Sequence, residues 1–236
     1  MSFLVFHRAN SLGALERAKT AGVQWIEFDI RRTSEGELVL FHDGEVKGAK
    51  TKDLSRKELE DMGEIPIVSL EEVLKNWHQD FCMDLELKEE GYEAEVVDLA
   101  LQYLHPSQMV FTSFWRNSVR EIKKRYPFLK VGLLVARNWP EKKFSRWIPT
   151  VFPIRKAMAS GADFLAPHYF FLSMGIVSRA YAKGLPLWFW TVNKVRTYIH
   201  LEKFPGIEGI ITDHPEWGQI YPSALERDFP LLPGSA

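Results

Sequence analysis

The chain has 236 residues, 46% of them hydrophobic, which excludes disorder as its main state and fits one large α/β domain. Thirty Lys and Arg against thirty-one Asp and Glu leave a net charge of −1, so no global field selects a nucleic acid as partner, and none is expected. One cysteine, Cys82, excludes a disulfide framework, and no apolar run nears the roughly 18 residues of a spanning helix. Met1–His7 lacks a basic start and a signal-length apolar stretch, so a cytoplasmic protein is expected.

Along the chain, short apolar runs alternate with helical-length amphipathic stretches. Strands are predicted at Phe3–Phe6, Val23–Ile30, Phe81–Leu87, Met109–Thr112, Val131–Val135, Asp163–Ala166, Leu187–Val192 and Gly209–Thr212. Helices are predicted at Asn10–Ala21, Gly91–Leu104, Trp115–Tyr126, Thr150–Gly161, Ser173–Lys183 and Lys194–Phe204, with Gly22, Gly161 and Gly184 as helix stops. Strand alternating with helix argues a parallel sheet, and eight such units at about 30 residues each is the spacing of a (β/α)8 TIM barrel. No Gly-rich phosphate turn follows the first strand, which weighs against an open doubly wound sheet. The rhythm breaks once. A second extended run, Glu37–Phe41, precedes a polar excursion over Gly36–Met62, before Ile65–Leu74 leads into a helix. The expectation is therefore a single barrel domain, residues 1–236, with a small inserted segment after the second strand.

The chemistry-bearing residues fall at strand ends. Side chains alternate along a strand, so Glu27 and Asp29 share one face of the second strand, against Ile26, Phe28 and Ile30 on the other. The third strand repeats this with Asp84, Glu86 and Lys88 against Leu85 and Leu87. Carboxylates converging on one barrel mouth repel unless a cation sits between them, and an all-oxygen set suits Mg²⁺ or Ca²⁺. Ion pairing of Glu86 with Lys88 or Arg31 is the plainer alternative. His7 closes the first strand and His42 the extra extended run, and two imidazoles beside an acidic cluster make a candidate acid/base pair. Arg8 and Lys88 add positive charge where a phosphate can be held. No Gly-x-Ser-x-Gly elbow is present, so a serine nucleophile is not expected.

Taken in order, His7-Arg8, Glu27-Phe28-Asp29, His42-Asp43, Glu86-Leu87-Lys88, Trp190-Thr191-Val192-Asn193 and Gly209 through Pro215 resemble the glycerophosphodiester phosphodiesterase family. The resemblance runs from residue 3 to about 216. It implies a metal-dependent barrel that hydrolyses a glycerophosphodiester to an alcohol and glycerol 3-phosphate, by way of a cyclic phosphate. On that pattern Glu27, Asp29 and Glu86 bind the cation, His7 and His42 act as acid and base, and Arg8, Lys88 and Trp190 contact substrate. One motif is missing: the family's Pro-Glu-Asn-Thr is replaced by a shortened connection, His7-Arg8-Ala9-Asn10-Ser11. That compact start resembles the related phospholipase D toxins and sphingomyelinase D-like proteins, so a lysophospholipid substrate is the alternative. Asn10 is read as a cap of the first helix or as a substrate contact.

Thirty-one aromatic residues, eight of them Trp, exceed what a core of this size requires. Some concentrate in residues 137–156, which carry six basic residues against one acidic, two Trp and two Phe. The expectation there is a lid over the mouth that makes transient membrane contact, or else a packed loop with a solvated basic face. On the seventh strand Trp188 is expected to fill the barrel and Trp190 to line its mouth. His168 is expected in a structural role, His214 as positional, and His78, His105 and His200 in solvent.

Overall fold

A computed structural model of the protein describes residues 2–135 and 151–217. The strands and helices follow in chain order as β1 (Phe3–Phe6), α1 (Leu12–Thr20), β2 (Trp25–Arg32), β3 (Leu38–Leu40), β4 (Glu45–Val46), β5 (Ala49–Lys50), α2 (Arg56–Gly63), α3 (Leu70–Trp77) and β6 (Cys82–Leu87). The alternation then runs α4 (Glu93–Ala100), β7 (Met109–Ser113), α5 (Arg116–Arg125), β8 (Lys130–Val135), α6 (Val151–Ser160), β9 (Phe164–Pro167), α7 (Ile176–Tyr181), β10 (Leu187–Phe189), α8 (Val195–Leu201) and β11 (Ile207–Thr212). Parallel pairing passes from β1 through β2, β6, β7, β8, β9, β10 and β11, and β11 pairs again with β1. The sheet is a closed (β/α)8 barrel.

Two apolar clusters sit on the two faces of this sheet. Ile26, Phe28, Ile30, Leu85 and Leu87 pack outward beneath α1, α3 and α4, in the cluster that includes Leu15, Val73 and Val97. Inside the barrel, Val5, Trp25, Val110, Phe164, Trp188 and Ile211 form a separate cluster. Trp188 stacks on Phe164 at 4.4 Å and meets Trp25 edge-on at 5.8 Å. Glycine makes room for these rings. A Cβ on Gly132 would lie 2.3 Å from the Phe164 ring, and one on Gly209 2.7 Å from the Trp188 indole.

The inserted segment begins with a reversal. β3 runs antiparallel to β2, pairing Arg32 with Leu38 and Ile30 with Leu40, and Phe41 N–H then donates to the Asp29 carbonyl. This fold-back returns the chain from the rim to the level of Asp29 just before His42. The β4–β5 hairpin and α2 follow, and α3 begins with a Ser69/Glu72 capping box.

Several predicted elements are shorter in the structure. The Ser173–Lys183 helix divides because Gly175 takes φ of +70°, leaving a six-residue 3₁₀ helix at Tyr169–Met174 before α7. The seventh predicted strand, Leu187–Val192, pairs regularly only to Phe189, after which Trp190 makes one isolated bridge to His168. Gly22, Gly161 and Gly184 do follow helices, each at positive φ. Of the 137–156 segment, residues 137–150 lie outside the described residues, and 151–156 belong to α6. Among the described residues, no helix is long and apolar enough to cross a membrane.

Candidate active site at the barrel mouth

Strand register builds the acidic cluster. Asp29 on β2 lies opposite Glu86 on β6, and Glu27 opposite Asp84, so the alternation of both strands turns four carboxylates to the same face. Glu27, Asp29 and Glu86 each present an oxygen, and these oxygens lie within 4.8 Å of one another. All three are buried. Asp84 belongs to a different layer: it is fully buried and accepts a 2.7 Å hydrogen bond from Thr112 Oγ1 on β7. Three of the four carboxylates therefore converge, and the fourth is held by a hydroxyl.

The electrostatics of the trio are unbalanced. Burial, then the charges of Asp29, Glu86 and Asp84, push the Glu27 carboxyl well above its ordinary range, and Glu27 Oε1 has no hydrogen-bond partner. Burial also raises Glu86, against the pull of Lys88. Asp29 is lowered, because Lys88 and Asn10 outweigh its burial. Lys88 Nζ lies 2.9 Å from Asp29 Oδ1 and 2.6 Å from Glu86 Oε1, so it is ion-paired and lines the cavity as well. Arg31 takes no part in that pairing; it binds Glu89 and donates to the His42 carbonyl. One lysine cannot neutralise three carboxylates. An unpartnered buried oxygen within an all-oxygen donor set is what a hard divalent cation fits.

Both histidines stand beside this trio, and each has an aspartate on Nδ1. His7 Nδ1 is 2.7 Å from Asp213 Oδ1, and His7 Nε2 faces Glu27 Oε2 at 3.9 Å. Asp213 is held in turn: Asn193 Nδ2 donates to its carboxylate, and its backbone N–H donates to Asn193 Oδ1. His42 Nδ1 is 2.6 Å from Asp43 Oδ1, while Arg8 Nη2 donates to His42 Nε2 at 2.5 Å. With Nδ1 carrying the proton toward Asp43, Nε2 is the acceptor. Burial lowers the His42 pKa, with Lys88 and Arg8 adding to it against Asp43 and Asp29, so the ring is neutral near pH 7.

The connection after β1 shapes the near wall. Arg8 adopts φ of +55°, an uncommon conformation for a side-chain-bearing residue, and this aims its N–H at Glu27 Oε2, 2.7 Å away. Asn10 does not cap α1. Ser11 does, accepting from Ala14 N–H, and the Asn10 side chain points to Asp29 instead. The opposite wall is aromatic. Trp190 is half-buried, donates through Nε1 to the Ala166 carbonyl, and meets Phe114 edge-on at 5.5 Å. His168 accepts from Phe170 N–H and packs on Trp190, and His214 stacks on Trp217. His105 and His200 are exposed, whereas His78 is half-buried with Nδ1 3.0 Å from the Leu74 carbonyl.

These side chains enclose a cavity of about 120 Å³, lined by His7, Arg8, Glu27, Asp29, His42, Glu86, Lys88 and Trp190 among others. All eight candidate residues thus meet in one space. Sequence reasoning gave no separate role to Asp213, Asn193 or Asp43, offered Arg31 only as an ion partner of Glu86, where it pairs with Glu89, and read Asn10 as a cap or a substrate contact, where it binds Asp29. The signal for Asp213 was present, since it follows the last strand on the same rim as His7.

Comparison with known proteins comes to the same fold. The sequence profile of the "Glycerophosphoryl diester phosphodiesterase family" matches residues 5–217. A glycerophosphodiester phosphodiesterase from Caldanaerobacter subterraneus is 29% identical over 229 residues, covering 88% of this chain and 89% of the relative. One from Bacillus altitudinis is 24% identical over 88% of this chain and 89% of its own length. Among solved structures, a glycerophosphodiester phosphodiesterase from Thermotoga maritima superposes with a TM-score of 0.73 at 22% identity, covering 93% of this chain and 98% of its own. A phosphodiesterase from Oleispira antarctica, in complex with its product sn-glycerol-3-phosphate, gives 0.75 at 21% identity, covering 96% and 98%. The chain belongs to the glycerophosphoryl diester phosphodiesterase family, a family of phosphoric diester hydrolases.

Proposed function

We propose that this barrel hydrolyses a glycerophosphodiester to an alcohol and sn-glycerol 3-phosphate, with a divalent cation held by Glu27, Asp29 and Glu86. The observation that carries the reading is one cavity lined by three converging buried carboxylates, two aspartate-backed histidines and two cationic side chains. When bound, the cation, Mg²⁺ or Ca²⁺, supplies Lewis-acid stabilisation of charge on the phosphoryl oxygens. Arg8 and Lys88 hold the phosphate, and Trp190 packs against the substrate from the opposite wall.

When Arg8 turns from His42 Nε2 to the phosphate, that nitrogen of the neutral ring is freed as an acceptor, and it takes the proton from the glycerol 2-hydroxyl as that oxygen attacks phosphorus. His7 gives a proton from Nε2 to the departing alcohol oxygen, and Asp213 stabilises the ring while it is charged. A five-membered cyclic phosphate and the free alcohol result. Water then opens the ring with the two histidines in reversed roles, which restores both to their starting states. Incubation with glycerophosphocholine tests the reading. Choline and sn-glycerol 3-phosphate are expected in equal amounts, and phosphorus NMR should end on the monoester. An intact diester would overturn the activity, and a persistent cyclic diester would overturn the second step.

A lysophospholipid is the second reading, and one observation favours it. A groove of about 840 Å³ between α1 and the inserted segment meets the catalytic cavity at His42, with Leu12, Phe41, Ile65 and Ile67 among its lining. A higher kcat/KM for glycerophosphocholine than for lysophosphatidylcholine, measured below the micelle threshold, would leave the groove without that use. Co-sedimentation with phospholipid vesicles tests the proposed membrane contact through 137–156, and protein that stays wholly in the supernatant would contradict it. We further propose that the barrel acts as one domain, in the cytoplasm.

A further inference from the structure

The shortened connection between β1 and α1 places a polar side chain where its role is defined by two bonds. Asn10 Nδ2 donates to Asp29 Oδ2 at 2.6 Å, and Asn10 Oδ1 accepts the Asp29 backbone N–H at 2.9 Å. Asn10 therefore grips its neighbour at both the carboxylate and the main chain. Two contacts on one residue fix the carboxylate torsion as well as its position. The Asp29 side chain is 1% exposed, so water cannot substitute for the amide donor. Capping of α1 does not require Asn10, because Ser11 accepts from Ala14 N–H. Two residues earlier, Arg8 N–H donates to Glu27 Oε2. One four-residue turn, His7 to Asn10, thus supports two of the three converging carboxylates as well as presenting a histidine.

We propose that Asn10 is a positioning residue for the cation: it holds Asp29 in the orientation that leaves Oδ1 directed into the site and so sets the affinity of the carboxylate trio. The inference rests on the assignment of Glu27, Asp29 and Glu86 as the cation's ligands. Oδ1 is the oxygen that faces Lys88, on the side of Glu86, while Oδ2 is occupied by Asn10. Without the amide, Oδ2 loses its hydrogen-bond donor and keeps only the Arg8 guanidinium, whose Nε is 3.9 Å away. The carboxylate can then rotate to offer either oxygen to Lys88, and part of the binding energy goes to restoring the ligand geometry. Partners that orient a metal ligand typically contribute 10- to 100-fold in affinity.

The test is calorimetric titration of chelator-treated wild type, Asn10→Ala and Ser11→Ala with Mg²⁺ and Ca²⁺, alongside thermal melts. Asn10→Ala is expected to raise the cation Kd on the order of 10- to 100-fold, and also to lower the Tm, because it leaves the buried Asp29 N–H and Oδ2 without the amide. Its glycerophosphocholine hydrolysis should recover most of the wild-type kcat at saturating cation. Ser11→Ala, which removes the α1 cap, is expected to lower the Tm too but to leave the Kd unchanged. An unchanged Kd in Asn10→Ala overturns the proposal, as does an equal loss of affinity in Ser11→Ala. If Asn10→Ala fails to fold, Asn10→Ser, which keeps one short donor, decides the matter. A Kd between wild type and a Glu27→Gln control supports the proposal, and a wild-type Kd overturns it. A wild type that binds neither cation would remove the ligand assignment itself and the proposal with it, a result visible before any variant is compared.

Discussion

The two halves of the barrel lumen are made by the same strands and could hardly differ more. On β2, Trp25 enters the lower layer while Glu27 and Asp29 rise into the upper one; on the β10 side, Trp188 is below and Trp190 above. The lower half is apolar and aromatic, with Trp188, Phe164 and Trp25 interlocked over glycines. The upper half buries three carboxylates with a single lysine between them. Burying apolar rings stabilises a fold, whereas burying like charges opposes it unless a partner compensates. The stability of this lumen therefore resides below, and the carboxylates of its upper layer repel one another, with Lys88 offsetting that only in part.

Substitutions can break this contrast, and the largest effect should be catalytic. His42→Ala removes the group placed as proton acceptor, and kcat for glycerophosphocholine should fall about 10²- to 10⁴-fold. Its Tm should change little, since the ring is only partly buried. A variant with wild-type kcat would show that proton transfer resides elsewhere. Next, Glu27→Gln and Trp188→Ala should separate function from stability. Glu27→Gln should abolish cation binding and turnover without lowering the Tm of the cation-free protein, because it relieves a buried charge. Trp188→Ala should cost about 3–5 kcal/mol in denaturant unfolding, as truncation of a large buried ring does. Equal destabilisation by the two would erase the distinction between the layers.

The smallest effect lies outside the lumen, at the start of α3 beside the inserted segment. Hydrogen bonds from Ser69 N–H and Oγ, with Arg56, hold the Glu72 carboxyl below its ordinary value despite some burial. A lowered carboxylate stabilises the fold above its unfolded pKa, near 4.5, and loses that contribution as pH falls through the lowered folded value. Glu72→Gln should therefore lower the Tm slightly at pH 7 and converge with wild type in acid. A constant offset down to pH 2 would place the effect in packing instead.

The barrel was legible because its evidence is periodic. Eight alternations of strand and helix, helix-stop glycines, and the Glu-x-Asp pair of β2 echoed by Asp84 and Glu86 on β6 can be read without coordinates. Trp188 and Trp190 divided between core and mouth for the same reason, since residues two apart share a face. Asn10 was not legible. Its sequence position suits a helix cap, and only the fold shows that Ser11 takes that place while the Asn10 amide reaches 19 residues along the chain to Asp29. Asp213 and Asn193 were legible only as rim residues, and it takes barrel closure between β11 and β1 to show Asp213 beside His7, 206 residues away in sequence. The antiparallel return of β3, which delivers His42 to the level of Asp29, has no periodic signature at all.

The central claim is that the upper layer of the lumen is a cation-dependent phosphodiesterase site. Its most direct test is glycerophosphocholine hydrolysis by protein stripped with chelator and then titrated with Mg²⁺ or Ca²⁺. The account predicts negligible turnover in the stripped protein, saturable recovery as cation is added, and no recovery in Glu27→Gln. Full turnover by stripped wild type would contradict it.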